Sequence, residues 1–208
     1  MKGKRNEPLL FYLNPGILEA GCDEAGRGCL AGPVVDAAVI LKTPINALND
    51  SKKLNEKTRQ ELALQIKAEA LAYSISFVNA PRIDEINILN ASIEAMHLAV
   101  IGLDTSPESL LIDGNRFHAF KTIPHHCIIK GDAKFQAIAA ASIIAKTARD
   151  EYMKSLHSKF PNYHWNVNKG YPTAKHVKAI KQHGITDFHR KTFGIVKQLC
   201  EPSLFDER

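Results

Sequence analysis

The sequence predicts an α/β fold, a sheet core with a helical lobe at its C-terminal end. Strand-like runs come first along the chain and helical periodicities come last. A length of 208 residues suits one domain with at most a small appendage, burying roughly 70% of its unfolded surface. With 45% hydrophobic and 24% charged residues, and neither a repeat nor a low-complexity tract, the composition is that of a globular chain, so disorder is expected only at the ends.

Residues 17–23 and 34–42 read as strands on either side of a glycine-rich segment, 26–33, and their closeness predicts an antiparallel pair. Asn55 caps a helix running to about Leu71, with Leu62, Ile66 and Leu71 toward the core, and residues 72–78 alternate as a third strand. Residues 81–86 form a short helical turn, and 87–103 a longer amphipathic helix carrying Ile93, Met96, Val100 and Ile101. Residues 110–113 and 127–130 are short apolar runs that end at polar or glycine signals, as buried strands do, and are expected side by side. The longest helical pattern, rich in alanine, extends from Ala133 to about Phe160, where Pro161 stops it. A loop over 162–173, a basic helix over 174–183 ended by Gly184, and a last helical segment over 187–199 complete the chain.

Several function classes drop out early. The apolar run 9–13 is too short for a signal-peptide core, and no run approaches the ~20 apolar residues that span a bilayer, so a cytoplasmic protein without membrane contact is expected. Cys22, Cys29, Cys127 and Cys200 form no CxxC pair and no zinc-finger spacing, which predicts reduced, mostly packed thiols. The nine histidines include no HExxH, and the adjacent His125 and His126 point apart on a strand. A net charge of +5 and a pI near 9.0 favour a polyanionic partner. Lys52-Lys53, the segment 175–181 and Arg190-Lys191 can contact phosphates, or can equally be solvated faces.

The acids are the stronger signal. Asp23 and Glu24 stand where the first strand runs into a glycine turn, an odd place for packing residues. Their mutual repulsion is offset by a divalent cation that takes carboxylate oxygens, although a solvated acidic turn has the same sequence. Asp113 and Asp132 each follow an apolar strand in the same way. If the three strands are neighbours, four carboxylates meet at one sheet edge, where open α/β sheets place ligands. Such a set can hold two cations about 3.5–4 Å apart, one activating water and one stabilising the leaving oxygen of a phosphodiester. Asp132 can alternatively cap the long helix. Asp150, the rival fourth ligand, is 18 residues further on, about 27 Å along a helix, and is expected instead in a surface or interlobe ion pair beside Arg149. Asp36, inside an apolar strand, and Asp50, in a turn, are weaker candidates.

Gly26-Arg27-Gly28 follows the acidic pair directly. Its main chain can approach a ligand closely and bond a sugar hydroxyl, the group that distinguishes RNA from DNA, or it can be a plain turn. Tyr171, in Lys169-Gly170-Tyr171-Pro172-Thr173, can stack on a nucleotide or simply be half-buried.

Together these segments resemble bacterial ribonuclease HII from about residue 17 to 196. The resemblance rests on Gly21-Cys22-Asp23-Glu24-Ala25-Gly26-Arg27-Gly28 with Ala31-Gly32-Pro33-Val34-Val35, and on Leu48-Asn49-Asp50-Ser51-Lys52-Lys53-Leu54. It rests equally on Ile112-Asp113-Gly114-Asn115, Lys130-Gly131-Asp132, Ala140-Ala141-Ser142-Ile143-Ile144-Ala145-Lys146, and the segment around Tyr171. The resemblance implies a ribonuclease H-like mixed five-stranded sheet flanked by helices, over residues 17–160. An N-terminal extension, 1–16 and partly disordered, precedes it, and a helical lobe, 161–208, packs on it. It further implies Asp23, Glu24, Asp113 and Asp132 as the catalytic, metal-binding set, Mg²⁺ or Mn²⁺ as cofactor, and cleavage 5′ of a ribonucleotide, in RNA/DNA hybrids or embedded in duplex DNA. By the same likeness Gly26, Arg27, Gly28 and Tyr171 recognise the RNA-to-DNA junction, while Ser51, Lys52, Ser142 and Lys146 line the backbone path. The related ribonuclease HIII fits less well, since its glycine-arginine-glycine segment differs and it usually carries an extra N-terminal domain. A monomer is expected, and residues 201–208 leave a replication or repair partner open.

Overall fold

The computed structural model describes residues 8–48 and 54–200. Its centre is one five-stranded sheet in the order β3-β2-β1-β4-β5, made of β1 (Glu19–Ala25), β2 (Val34–Leu41), β3 (Ala70–Val78), β4 (Ser109–Asp113) and β5 (His125–Ile128). β2 runs antiparallel to both β1 and β3, whereas β4 joins β1, and β5 joins β4, in parallel. The mixed α/β sheet expected from the sequence is therefore present, with the first two strands antiparallel and the two short apolar runs adjacent. β5 lies two residues earlier than expected, because Lys130 adopts a left-handed conformation (φ 57°) and turns the chain into a 3-10 turn over Gly131–Ala133.

β2 is buried along its whole length and, apart from Asp36, reads as an apolar run because helices cover both faces of the sheet. One face, with Ala37, Val39 and Leu41, packs under α1 (Glu56–Glu69) and α3 (Gln136–Lys159). The other, with Cys22, Ala38, Ile40 and Ile112, packs under α2 (Ala80–Ile101). Asn55 caps α1 as expected, its side chain accepting the Thr58 N–H at 3.0 Å. Leu71 is not a core residue of that helix: it belongs to the edge strand β3 and is 42% exposed.

α2 breaks where the sequence predicts, at Asn87, whose φ of 67° and ψ of 164° are non-helical. The Asn87 carboxamide accepts the N–H groups of Leu89 (3.0 Å) and Asn90 (3.1 Å), so a second helical stretch is capped anew inside the element. Ile93, Met96 and Val100 face the core, but Ile101, one residue and about 100° further round, is 59% exposed.

α3 starts three residues later than expected, after the 3-10 turn. The main chain of Leu10 pairs beside that start, donating to Lys134 O at 2.7 Å and accepting the Gln136 N–H at 2.9 Å. The expected loop over 162–173 contains a 3-10 turn, Pro161–Tyr163, and α4 (Trp165–Asn168), followed by α5 (Ala174–His183) as expected. The last helix, α6, spans only Gly194–Cys200. Ahead of it the chain is held in turns by Asp84, which accepts the N–H groups of Lys191 at 2.7 Å and Thr192 at 2.9 Å. These C-terminal elements surround the buried Trp165 and share a core with Leu30 and Ala31 and with Met153 and Leu156 of α3. All four cysteines are free; Cys22 and Cys29 are buried, but Cys127 and Cys200 are exposed, so only half are packed. Among the described residues no helix is long and apolar enough to cross a membrane.

α3 sits on β1 at the closest approach a backbone allows: a Cβ added to Gly21 falls 2.2 Å from the Ala137 carbonyl carbon. Gly21→Ala is accordingly expected to lift α3 from the sheet and cost about 1–3 kcal/mol of stability. Urea unfolding measures this as a lower midpoint at an unchanged slope.

Candidate active site

The parallel register between β1 and β4 ends with Cys22 paired to Ile112, so the next residues, Asp23 and Asp113, stand side by side at the C-terminal end of that ladder while still paired to Ala37 of β2 and Ile128 of β5. Alternation along β1 sends Asp23 toward α3, where the Ser142 hydroxyl bonds to it, and Glu24 toward α2. There Glu24, Asp113, Arg27, Ser92, Met96 and Asn115 line a cleft of about 330 Å³.

The acids sense one another. Burial pushes the Asp23 carboxyl well above the usual carboxylate range, and the charges of Glu24 and Asp113 push it further, against hydrogen bonds from Ser142 and the Glu24 N–H. Burial also raises Glu24, and Asp113 adds to the rise, while Arg27, with Nη1 3.0 Å from Oε1, pulls it back. Asp113 is raised by burial and by Asp132, and is steadied by the N–H groups of Gly131 (2.6 Å), Asp132 and Gly114. Asp132 itself stands on the 3-10 turn after β5. It does not cap α3, whose N-cap position is Phe135 with no side-chain cap.

Among the described residues no group of three or more His, Cys, Asp or Glu side chains is already gathered tightly enough to hold a metal ion. The donor set still fits a hard divalent cation. It is all oxygen, it carries self-repulsion that a cation relieves, and Glu24 Oε2 is buried without a hydrogen-bond partner.

The glycine-rich segment that starts at Gly26 follows these acids directly. Gly26 has φ +97°, and a Cβ there would fall 2.0 Å from Arg149 Nε, so both backbone shape and space require glycine. Arg27 and Gly28 are exposed. Tyr171, 41% exposed, bonds to the Cys29 side chain, its ring 5.9 Å from the Arg149 guanidinium, and the neighbouring Gly170 carbonyl accepts the Leu30 N–H at 2.8 Å. Lys146 lies one helical turn beyond Ser142 and pairs with Asp150. Ser51 and Lys52, and with them Asp50, lie outside the described residues. The surface or interlobe ion pair expected of Asp150 is present as a buried one, and Arg149 takes no part in it. Asp150 is buried and held by Lys146 and by Arg59 at 3.2 Å, while Arg149, about 100° round the helix, donates to main-chain carbonyls instead.

Asp36, a weaker candidate by sequence, has surroundings that the sequence does not show. It stands directly across from Glu24 in the β1–β2 ladder, is 0% exposed, and neither carboxylate oxygen has a partner. Its pKa is driven well up, by burial first and then by Glu24 and Asp23. An acid among apolar residues was the available signal, but the cross-strand register that makes it meaningful is not written in β2 alone. With a folded-state pKa above the unfolded value of about 3.9, Asp36 binds its proton better when folded. Stability is therefore lost as pH rises from that unfolded value toward the folded one. Asp36→Ala in chelator is expected to raise stability at pH 8 by about 1–3 kcal/mol and to flatten its decline from pH 5, as followed by thermal unfolding.

Comparison with known proteins gives the family and the fold. The sequence pattern of the ribonuclease HII family matches residues 20–196. A ribonuclease HII from Bacteroides thetaiotaomicron is 57% identical over 190 residues, covering 90% of this chain and 95% of the relative. In three dimensions the chain is similar to ribonuclease H2 from Pyrococcus horikoshii, with TM-score 0.73, 26% identity, and coverage of 87% of this chain and 96% of that one. It is similar too to the ribonuclease HII solved in complex with PCNA from Archaeoglobus fulgidus, with TM-score 0.75, 26% identity, and coverage of 86% and 96%. An acidic edge on a mixed five-stranded sheet, a family pattern spanning most of the sequence and this level of identity lead to one assignment: the chain belongs to the ribonuclease HII family of endoribonucleases.

Proposed function

We propose that this chain hydrolyses the RNA strand of RNA/DNA hybrids and cuts 5′ of ribonucleotides embedded in duplex DNA, leaving 3′-hydroxyl and 5′-phosphate ends. The observation that carries this is the placement of Asp23, Glu24 and Asp113 by the strand register at the shared end of β1 and β4, beside an open cleft. A cluster of buried and half-buried acids at a cleft is the arrangement expected of a functional site.

Asp23, Glu24, Asp113 and Asp132 hold Mg²⁺ or Mn²⁺, which when bound activates water and stabilises charge on the leaving oxygen. The chain's own groups prepare that set. Ser142 fixes the Asp23 carboxylate, the Gly131 N–H fixes Asp113, and Arg27 steers one Glu24 oxygen and leaves the other for a ligand. The main chain of Gly26, Arg27 and Gly28 meets the ribose hydroxyl, and the half-exposed Tyr171 ring stacks on the junction nucleotide. Lys146, with Ser51 and Lys52, follows the phosphate backbone. In the cell this activity removes ribonucleotides from DNA and primer RNA from new strands.

Asp113→Asn is expected to lower kcat on a hybrid in Mn²⁺ by on the order of 10³-fold or more, the several kcal/mol that metal-assisted catalysis supplies. Intact hybrid after incubation with the wild-type protein and Mn²⁺ would overturn the proposal. Arg27→Ala removes the cation that holds Glu24 down, so the acidic limb of the kcat/KM profile moves to higher pH. An unmoved limb would show that Glu24 does not titrate in the reaction.

A further inference from the structure

Two of the largest fully buried side chains are arginines. Arg149 and Arg190 are both 0% exposed, and among the described residues neither makes an ion pair. A buried cation without an anion is costly, and an apolar residue would fill the same space at less cost. Each guanidinium nitrogen of both donates instead to a main-chain carbonyl. Arg190 donates from Nη2 to Gly26 O at 2.7 Å, from Nη1 to Arg27 O at 2.9 Å and from Nε to Gly32 O at 3.0 Å. Arg149 donates to Pro33 O at 2.9 Å, Lys169 O at 2.8 Å and Ala31 O at 3.0 Å. Burial lowers the Arg190 pKa to about 10, which leaves it charged at neutral pH.

The fork of Arg190 does something no packing residue can. It takes the carbonyls of two successive peptides, Gly26 and Arg27, on one side. No peptide bond here is cis, and in a trans peptide the N–H points away from the C=O. Drawing both carbonyls inward therefore turns the N–H groups of Arg27 and Gly28 outward, on the face where both residues are exposed. Among the described residues neither N–H has a backbone acceptor. Two adjacent N–H groups on one side of a glycine turn form a concave donor pair for an oxygen with partial negative charge. Arg149 braces the same segment from below and, through Lys169 O, couples it to the loop that carries Tyr171.

We propose that Arg190 is a positioning residue for ribose recognition: its guanidinium fixes the Gly26 and Arg27 peptides so that the Arg27 and Gly28 N–H groups meet a 2′-oxygen. This rests on the proposed role of residues 26–28 in reading the sugar. The ammonium of Arg190→Lys keeps the charge but lacks the planar fork, so it cannot hold two peptides in one orientation.

The test measures dissociation constants in chelator for two duplexes of one sequence, one with a single ribonucleotide and one all-deoxy, alongside hybrid cleavage in Mn²⁺. The wild type is expected to prefer the ribonucleotide duplex. In Arg190→Lys that preference falls tenfold or to unity, with all-deoxy binding within twofold of wild type. A variant that is merely less stable loses affinity for both duplexes equally and keeps the ratio. Because Arg190 is buried, Asp84→Ala provides a second arm. It removes the acceptor of the Lys191 and Thr192 N–H groups and of the Thr192 hydroxyl, and with it a negative charge that acts on Arg190, loosening the backbone that carries Arg190, and is expected to lower the preference two- to threefold. Wild-type cleavage with an undiminished preference in folded Arg190→Lys and Asp84→Ala overturns this inference alone. A wild type that fails to cleave the hybrid overturns the proposed function, and this inference with it.

Discussion

The parallel ladder between β1 and β4 ends with Cys22 paired to Ile112, and the two residues that follow, both aspartates, must then stand together at its end. Like charges brought together in a buried edge are unfavourable, and the raised pKa values of Asp23, Glu24 and Asp113 express that cost. The surroundings are arranged to tolerate it. Hydrogen bonds from Ser142 and from the Gly131 N–H, and the nearby Arg27, offset part of the repulsion. Fold and site are thus one problem, since a shift of the β1–β4 register by one residue would turn Asp113 to the other face of the sheet.

The second constraint is cationic and entirely buried. Arg149 comes from α3 and Arg190 from the turns before α6, and both converge on carbonyls of the 26–33 segment. A glycine-rich segment has much backbone freedom to lose, and main-chain hydrogen bonds to two rigid guanidinium forks remove it. The C-terminal elements therefore contribute more than cover: they determine the shape of a loop distant in sequence.

What the sequence disclosed was what local chemistry controls. Strand ends marked by acids, the Asn55 cap, the break before Asn87 and the Gly184 stop all depend on neighbouring residues. The candidate acids were legible because three apolar runs each end in one. What depended on tertiary pairing was not legible. Asp36 gains its meaning from facing Glu24 across a ladder, Asp150 finds its partners one helical turn back and on α1, and Arg190 bonds to carbonyls more than 150 residues away. The turns before α6 were read as helix because apolar spacing alone does not reveal that Asp84 claims the N–H groups of Lys191 and Thr192.

The pairing of Leu10 with the chain beside Phe135 reaches further than its two hydrogen bonds suggest. It clasps the junction where the Gly131–Ala133 turn enters α3, the turn that supplies both Asp132 and the donor to Asp113. Residues ahead of β1 thereby act as a latch on the acidic edge. An affinity handle or surface tether attached at the amino terminus would pull on that latch, so the opposite side of the protein offers the gentler point of attachment.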